Sequence, residues 1–350
     1  MKTLVTGGSG YFGSHLIKKL LDRGYEVRSL DINDADDRPS KAEFIKADIR
    51  DFEAVKRACE GVDFVFHTVA QVPLANDPDL FLSVNLGGTE TLLKASLESR
   101  IKAVVHVSTS AVFSVPIDMP ITDDTPVNPM EPYGKAKLQG EKLCFEYANK
   151  GLNISVVRPR TIIGGESRLG IFQILFEWVS EGKKIPVFDK GDYLYQFVHS
   201  DDLAEVCIRS AEKSPKTDQK TPRIYNCGAE KYATMREMLQ TLCDHAATGA
   251  KVRSVPMKPA MLAMKIANRL GLSPLTDWHW LAYGHPFYFD TSKIRKELGY
   301  TAKYSNDEMI CESYDWYIAN KDKLKVMGQG ASAHRSAVKQ GILKLVKWLS

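Results

Sequence analysis

The chain of 350 residues has few cysteines, and their arrangement indicates no special site. None of them forms a C-x-x-C pair, and none has histidine-rich neighbours. This spacing argues against a disulfide framework and against a zinc site, so no metal is expected. The six cysteines are Cys59, Cys144, Cys207, Cys227, Cys243 and Cys311.

Long apolar runs are also absent, and none would span a bilayer. The chain opens with MKTLVTG, which reads as a strand entering a glycine turn and leaves no room for a signal peptide. Internal repeats and low-complexity tracts are missing as well. We therefore expect a cytoplasmic protein.

Net charge is small, at +4, and it is unevenly placed. Residues 321–350 contain seven Lys or Arg and one Asp, so this segment has a charge of +6 and the remainder about −2. The low charge of residues 1–320 argues against a nucleic-acid partner, and the basic C-terminal segment is a separate feature. The 44% hydrophobic and 26% charged fractions are typical of an ordinary globular protein.

Over residues 1–158, short β-branched runs alternate with longer amphipathic stretches, which is typical of an α/β fold with a doubly wound parallel sheet. Beyond residue 158 the rhythm loosens into short helices around 170–181, 201–211, 235–246 and 257–270. We predict a sheet domain at 1–158, a smaller lobe at 159–327 with segments returning to the sheet, and a basic amphipathic tail at 328–350. The predicted strands lie around 4–5, 27–30, 64–69, 104–107 and 154–157, and the earlier helices at 12–23, 52–59, 80–98 and 133–149.

The segment Gly7-Gly8-Ser9-Gly10-Tyr11-Phe12-Gly13 follows the first predicted strand and opens a helix. In that context Gly7 permits a tight turn, Gly10 allows the backbone to approach a pyrophosphate, and Gly13 allows close packing of the helix on the sheet. The helix N-terminus then faces the negative charge. This pattern predicts a Rossmann-type dinucleotide site.

Asp31, at the end of the second predicted strand, has the spacing of a carboxylate that binds the adenosine ribose hydroxyls. The acidic residues Asp34, Asp36 and Asp37 follow, so a 2′-phosphate would meet an acidic loop without an immediate Arg partner, and NAD is expected rather than NADP. Asp48 and Ile49 are candidates to line the adenine. An aspartate in a turn is the alternative interpretation of Asp48.

Tyr133 and Lys137 are four residues apart on a predicted helix and therefore share one face. Since an unperturbed tyrosine is a poor base at neutral pH, a nearby ammonium is needed to stabilise the phenolate. The run Ser108-Thr109-Ser110 ends a predicted strand and would deliver hydroxyls to the carboxyl edge of the sheet, where such folds bind ligands. One of these hydroxyls would bind the substrate oxygen beside Tyr133.

With these features the chain resembles the extended short-chain dehydrogenase/reductase family, also called the NAD-dependent epimerase/dehydratase family. The resemblance extends from Lys2 to about Tyr317. It implies that Thr109 is the catalytic hydroxyl, with Ser108 and Ser110 as less favoured bearers, that Ala70 passes beneath the nicotinamide, that Asn85 steadies the strand ends, and that Lys137 also holds the nicotinamide ribose. The matching segments are TGGSGYFG at 6–13, FHTVA at 66–70, NLGGT at 85–89, YGKAK at 133–137, RP at 158–159, FVHSDD at 197–202 and FDTSKIRKELGY at 289–300.

Departures from the family patterns guide the choice of reaction. Dehydratases have an Asp-Glu pair where this chain has Ser110-Ala111, and nucleotide-sugar epimerases have arginines where it has Tyr195-Gln196 and the segment 283–286. Those substitutions remove bidentate partners of a diphosphate. The segments 283–300 and 314–317 are instead similar to the 3β-hydroxysteroid dehydrogenase branch.

We therefore expect an NAD-dependent oxidoreductase acting on a secondary alcohol or ketone, with a steroid-like or other lipophilic small molecule as substrate. An apolar helix over the pocket would suit such a substrate, although a stripe of this kind also occurs in ordinary cores; its residues are Met257, Met261, Leu262, Met264, Ile266 and Leu270. A nucleotide-sugar epimerase remains the alternative, because Arg160 and Arg168 could hold a phosphate. A regulator that binds NAD without turnover is a third interpretation, disfavoured by the retained Tyr133, Lys137 and Thr109.

Two further expectations concern assembly. The family resemblance implies a homodimer that pairs the helices at 80–98 and 133–149 into a four-helix bundle. In the tail, apolar residues recur at helical spacing among lysines, which suits either a peripheral contact with an anionic membrane or a helix docked on protein. The apolar positions are Val338, Ile342, Leu345, Val346 and Leu349.

Overall fold

The computed structural model describes residues 1–71, 78–115, 117–164, 172–213, 220–269 and 282–326. Within them the strands are β1 (Lys2–Thr6), β2 (Glu26–Asp31), β3 (Glu43–Lys46), β4 (Phe64–His67), β5 (Ala103–Val107), β6 (Ile154–Pro159), β7 (Thr161–Ile163), β8 (Lys184–Phe188), β9 (Leu194–Tyr195), β10 (Phe197–His199), β11 (Arg223–Cys227), β12 (Ala233–Thr234) and β13 (Lys251–Val255). The α-helices are α1 (Tyr11–Asp22), α2 (Phe52–Cys59), α3 (Pro78–Leu80), α4 (Gly88–Glu98), α5 (Pro132–Asn149), α6 (Phe172–Ser180), α7 (Ser200–Glu212), α8 (Met235–Ala246), α9 (Met257–Arg269) and α10 (Asn306–Val326).

Seven strands form one sheet in the order β11-β6-β5-β4-β1-β2-β3. Every neighbouring pair in it is parallel. The chain reverses its direction of travel across the sheet between β3 and β4, so the crevice at the carboxyl ends of β1 and β4 is the switch point where such folds bind ligands. The predicted α/β fold with a doubly wound parallel sheet is confirmed.

Both faces of the sheet are covered by helices, and this explains why its strands are continuous apolar runs rather than alternating ones. Successive residues of β1 enter different cores: Leu4 packs in one apolar cluster and Val5 in the other. The same alternation occurs at Val104 and Val105 of β5. Burial on both faces thus fixes the register of the central strands.

Two elements of the sheet domain differ from the predictions. The strand β3 was not predicted, because Glu43–Lys46 is a partly exposed edge strand with no clear apolar pattern. The single helix predicted at 80–98 is divided: a π-helical segment at Phe81–Gly87 separates α3 from α4. A π turn shifts side chains relative to a regular helix, and hydrophobic periodicity does not report it.

The second half of the chain forms small two-stranded sheets, β7 with β10, β8 with β13 and β9 with β12, around a separate apolar core. The helices α6, α8 and α10 bury their apolar faces in that core. The strand β11 instead returns to the large sheet and pairs with β6. Its position beside β6 ties the lobe to the carboxyl edge of the sheet.

The apolar stripe of α9 does not form one packed face. Met264 packs against the core of the lobe, whereas Leu262 is 62% and Ile266 52% exposed. The helix therefore turns two aliphatic side chains of this stripe away from the core of the lobe. Leu270, Arg168 and the whole tail at 328–350 lie outside the described residues.

Among the described helices, none combines the length and the apolar character needed to cross a membrane.

Candidate active site

The glycine loop forms a tight connection between β1 and α1. Gly7 has φ of +76° and donates its N–H to Leu30 O at 2.8 Å. A Cβ added to Gly13 would lie 2.1 Å from Gly7 O, so the first turn of α1 can approach the loop only without a side chain there. Gly10 provides no side-chain cap for α1, and the N-terminus of the helix opens directly onto the loop. The loop therefore has the shape of a pyrophosphate cradle, in which Tyr11 and Phe12 are the first helical residues.

Asp31 lies beside this loop, at the last position of β2. Its carboxylate accepts hydrogen bonds from the backbone N–H of Ser9 at 3.0 Å and of Asn33 at 3.4 Å. Arg38 is the nearest arginine along the chain after β2, and Asp34 holds its guanidinium through Nε at 2.7 Å and Nη2 at 3.0 Å. The neighbourhood of Asp31 is thus acidic and its arginine is already paired, which suits the ribose hydroxyls of NAD.

The two predicted adenine residues are placed differently from each other. Asp48 forms a bidentate ion pair with Arg50, at 2.9 Å and 2.6 Å, and this pair lowers the pKa of the Asp48 carboxyl. Ile49 is buried, and a Cβ on Gly88 would lie only 2.5 Å from its Cγ2. The side chain of Ile49 therefore packs against the start of α4, and Asp48 stays at the surface with a cation beside it.

Asn85 holds the segment that follows β4. Its Oδ1 accepts the backbone N–H of Gln71 at 2.7 Å, and its Nδ2 donates to Gln71 O at 3.1 Å. Ala70, the predicted floor beneath the nicotinamide, immediately precedes Gln71 and is partly buried. The π-helical segment delivers the Asn85 amide to this backbone, so the observed break in the predicted helix has a structural purpose.

Tyr133 and Thr109 meet where α5 begins and β5 ends. Thr109 adopts extended backbone geometry and caps the short 3₁₀ turn at Ser110–Val112 by accepting the Ala111 N–H at 3.1 Å. Burial raises the pKa of the Tyr133 phenol, and a hydrogen bond with the Thr109 side chain opposes that rise. The structure thus brings together the phenol and the hydroxyl that were predicted to share a substrate oxygen.

Lys137 lies one helical turn after Tyr133 and is almost completely buried. Its ammonium donates to Val107 O at 2.7 Å. Burial lowers the pKa of Lys137 to about 8, and the negative charge of Glu141 partly offsets this effect. The predicted shared helix face is therefore observed, although the described contact of the ammonium is with the end of β5.

Behind this group lies a buried carboxylate, Glu141, that was not predicted. Glu141 accepts a short hydrogen bond from the Ser108 hydroxyl and a bidentate pair from Arg158, with Nε at 3.0 Å and Nη2 at 2.6 Å. The spacing of Tyr133, Lys137 and Glu141, four residues each, was the available signal for it. The pairing with Arg158, 17 residues away on β6, was invisible in the sequence.

Buried histidines lie under the same helix. His67 bonds to Thr6 through Nδ1 at 2.8 Å and to Thr89 through Nε2 at 3.0 Å. Its ring centre is 5.3 Å from that of His106 on the adjacent strand. Burial lowers the pKa of His67 to about 3 and that of His106 well below its usual value, so both rings stay neutral at physiological pH.

The positions where related enzymes hold a diphosphate have internal partners here. Gln196 is fully buried, donates to Ala229 O at 2.7 Å and accepts the Phe289 N–H at 2.9 Å. Tyr283 donates its hydroxyl to Pro186 O at 2.8 Å. Arg160, which was expected to be available for a phosphate, is buried with its guanidinium 3.9 Å from the centre of the Phe287 ring and bonded to Gln196 O. That expectation is corrected: the arginine is a packed interior residue.

Residues 3–228 match the model of the NAD dependent epimerase/dehydratase family. The chain belongs to this family. The protein is accordingly an NAD-dependent enzyme.

Two relatives differ in how similar they are to this chain. The chain is 48% identical to the uncharacterized protein y4nG of Sinorhizobium fredii over 99% of its own length and 85% of that protein. It is 27% identical to a 4-hydroxy-2-methyl-3-oxo-4-farnesyl-3,4-dihydroquinoline-1-oxide ketoreductase of Stigmatella aurantiaca, over 96% of this chain and 100% of the relative.

Among solved structures, the fold is similar to that of UDP-glucuronic acid 4-epimerase from Bacillus cereus in complex with NAD. The TM-score is 0.74 at 23% identity, covering 92% of this chain and 98% of the other. This likeness confirms the Rossmann-type fold.

Proposed function

We propose that the protein oxidises a secondary alcohol to a ketone, or catalyses the reverse reduction, on an apolar substrate. Tyr133 acts as a phenolate and takes the proton of the alcohol, Thr109 hydrogen-bonds the same oxygen, and Lys137 supplies the positive charge that stabilises the phenolate. NAD, when bound, accepts the hydride from the carbinol carbon. In the reverse direction the Tyr133 phenol gives its proton to the ketone oxygen, and bound NADH would supply the hydride to the carbonyl carbon.

The observation that supports this reaction best is the junction of Tyr133 and Thr109 at the carboxyl end of β5. Lys137 follows one turn later on the same helix, and Asn85 holds the neighbouring strand end. A hydride acceptor placed over this edge would face the phenol and the hydroxyl together. The arrangement serves alcohol and ketone chemistry without any further acid or base.

The apolar substrate is supported by residues that do not suit a diphosphate. Gln196 and Tyr283 hydrogen-bond within the fold, Arg160 is buried against aromatic rings, and Ser110 and Ala111 replace the carboxylates of a dehydratase. The Stigmatella relative is named as a ketoreductase of a farnesyl-bearing quinoline oxide, a lipophilic ketone. Both observations favour a lipophilic alcohol or ketone over a sugar nucleotide.

A nucleotide-sugar 4-epimerase is the second candidate. It would use the same residues to form a transient ketone and return the hydride to the opposite face of the sugar. The named activity of the Bacillus cereus structure favours it. The two candidates differ in one respect: an epimerase regenerates its NAD in every turnover, whereas a dehydrogenase releases NADH.

The test is a screen of the purified enzyme against steroid-like alcohols, their ketones and UDP-sugars, with NADH followed by absorbance and epimers by chromatography. Tyr133→Phe should reduce turnover at least ~1,000-fold while the affinity for NAD is retained, because the proton donor is lost but the cradle is intact. Tyr147→Phe, which alters a buried tyrosine of the same helix, is the matched control and should stay active. Near-normal activity of Tyr133→Phe would contradict the assignment.

We further propose a cytoplasmic homodimer in which residues 1–158 bind NAD and residues 159–327 bind the substrate. The catalytic group would then be Tyr133, Lys137 and Thr109, and the cofactor contacts those described above. The tail at 328–350 would make a reversible contact with a membrane surface.

A further inference from the structure

Three residues of α5 each contact a different residue at the end of β5. Tyr133 shares a hydrogen bond with Thr109, Lys137 donates to Val107 O at 2.7 Å, and Glu141 accepts from the Ser108 hydroxyl. The three helix positions are spaced by four residues, so they lie on one face, and the three strand positions are consecutive. The helix thus contacts three consecutive residues at the end of the strand. The last of them, Thr109, would hold the substrate oxygen.

Glu141 is the buried end of this contact. Its side chain is 2% exposed, and that of Arg158, which forms the bidentate pair with it, is 5% exposed. Arg158 belongs to β6, whose Val157 O accepts the Ser108 N–H at 2.7 Å. Ser108 is therefore fixed from two sides, by the backbone of β6 and by the Glu141 carboxylate. A residue held this firmly restricts the position of Thr109, which follows it directly.

We propose that Glu141 is a positioning residue for the reaction, which orders Thr109 through Ser108 and keeps Lys137 in its charged form. The inference rests on the proposed roles of Tyr133, Lys137 and Thr109. Buried ion pairs are costly and contribute little to stability compared with apolar packing, so a polar pair at this position is better explained by a requirement of the site.

The electrostatic part of the argument follows from the groups that surround Lys137. From β4 and β5 it is faced by His67 and His106, which are neutral, and from α5 by Cys144 and Glu141. Tyr133 precedes it by one turn of the same helix. Arg158 of β6 reaches this group through Glu141. Among the described residues that influence Lys137, Glu141 is the nearby carboxylate that raises its pKa against the effect of burial.

Removing that charge has a predictable sign. Glu141→Gln leaves two buried cations, Lys137 and Arg158, without their common anion, so the pKa of Lys137 falls further below about 8. Activity that needs the ammonium is then lost at a lower pH. The alkaline limb of the profile of kcat against pH should move toward acid by about one unit or more.

Two matched variants separate position from charge. Ser108→Ala removes only a hydroxyl, so kcat should fall about tenfold while the alkaline limb stays in place. Glu141→Asp keeps the charge but shortens the side chain, so its limb should stay near that of the native enzyme while kcat falls. The measurement is the pH profile with NAD and the alcohol of the screen that gives the largest NADH signal, with NAD affinity followed by tryptophan fluorescence.

The inference is overturned if Glu141→Gln reduces kcat by the same factor at every pH, so that the alkaline limb does not move. It is also overturned if Ser108→Ala is fully active. Should Glu141→Gln fail to fold, Ser108→Ala and Glu141→Asp still decide whether Glu141 positions Thr109, because neither leaves an unpaired buried cation. An active Tyr133→Phe enzyme would reject the proposed function itself. If Tyr133→Phe is inactive but the alkaline limb of Glu141→Gln does not move, only the role of Glu141 is rejected.

Discussion

At the scale of single residues, Asp31 combines two tasks at the cofactor loop. Its carboxylate accepts the Ser9 N–H within the glycine loop, and its position at the end of β2 suits a ribose diol. A 2′-phosphate at the same place would meet this charge, while Arg38 is held by Asp34. We therefore expect the preference for NAD to depend on the charges of a few neighbouring side chains.

We predict that Asp31→Ala reduces the preference for NAD over NADP about tenfold, equivalent to roughly 1.4 kcal/mol. The physical reason is the loss of the acceptor for the ribose hydroxyls together with the loss of repulsion toward a phosphate. Titrations of both cofactors with the purified protein measure the ratio. Asp36→Ala, an exposed carboxylate of the same acidic loop, is the control and should leave the ratio unchanged. Equal affinities of the native protein for the two cofactors would contradict the prediction.

At the scale of elements, the approach of α5 to the end of β5 depends on Gly134. A Cβ there would lie 2.2 Å from Ala111 O and 2.9 Å from the Pro129 Cβ. The Ala111 O belongs to the 3₁₀ turn that Thr109 caps, so a shift of this oxygen would also shift Thr109. The small residue next to Tyr133 is thus required by packing, and it sets the distance between helix and strand.

We predict that Gly134→Ala reduces kcat at least ~100-fold, because it pushes the start of α5 away from Thr109. Gly140→Ala, on the same helix, places its Cβ 3.5 Å from the nearest atom, an ordinary contact. That variant should remain active and gain up to ~1 kcal/mol of helix stability. Steady-state kinetics and urea unfolding of both variants provide the measurements, and similar activities of the two would be inconsistent with this account.

At the scale of the whole molecule, the helices proposed for the dimer present exposed apolar residues. Leu82 of the π-helical segment is 46% and Phe145 of α5 is 37% exposed. We predict a concentration-dependent dimer in sedimentation equilibrium, weakened by Phe145→Glu because a charge would be buried at the interface. Ile318→Glu, which changes an equally exposed residue of α10, should have no such effect. A monomer at all concentrations would remove the proposal.

The tail supports a second prediction at this scale. The full-length protein should co-sediment with phosphatidylglycerol vesicles at low salt, because lysines and apolar residues alternate at helical spacing between 338 and 349. A chain that ends at Gly328 should stay in solution, and neutral phosphatidylcholine vesicles should retain less of the full-length protein. Identical behaviour of the two chains would show that the tail contacts protein instead.

The sequence alone determined the fold class, the cofactor and the residues of the glycine loop, because these depend on local patterns. Apolar runs, turn glycines and the spacing of Tyr133 and Lys137 are all read within about one helical turn or one strand. The helix bounds at Phe52–Cys59 and Met235–Ala246 agree with the predicted ranges for the same reason.

Only the tertiary structure decided how distant polar residues pair. The contact of Glu141 with Arg158, the burial of Arg160 among aromatic rings and the bond of Asn85 to Gln71 each join elements that are far apart in the chain or separated by a π turn. Side-chain type does not reveal whether a charged group will be paired inside or exposed at the surface. That outcome depends on which strands become neighbours in the sheet, and the order of the strands is fixed by packing of the whole domain.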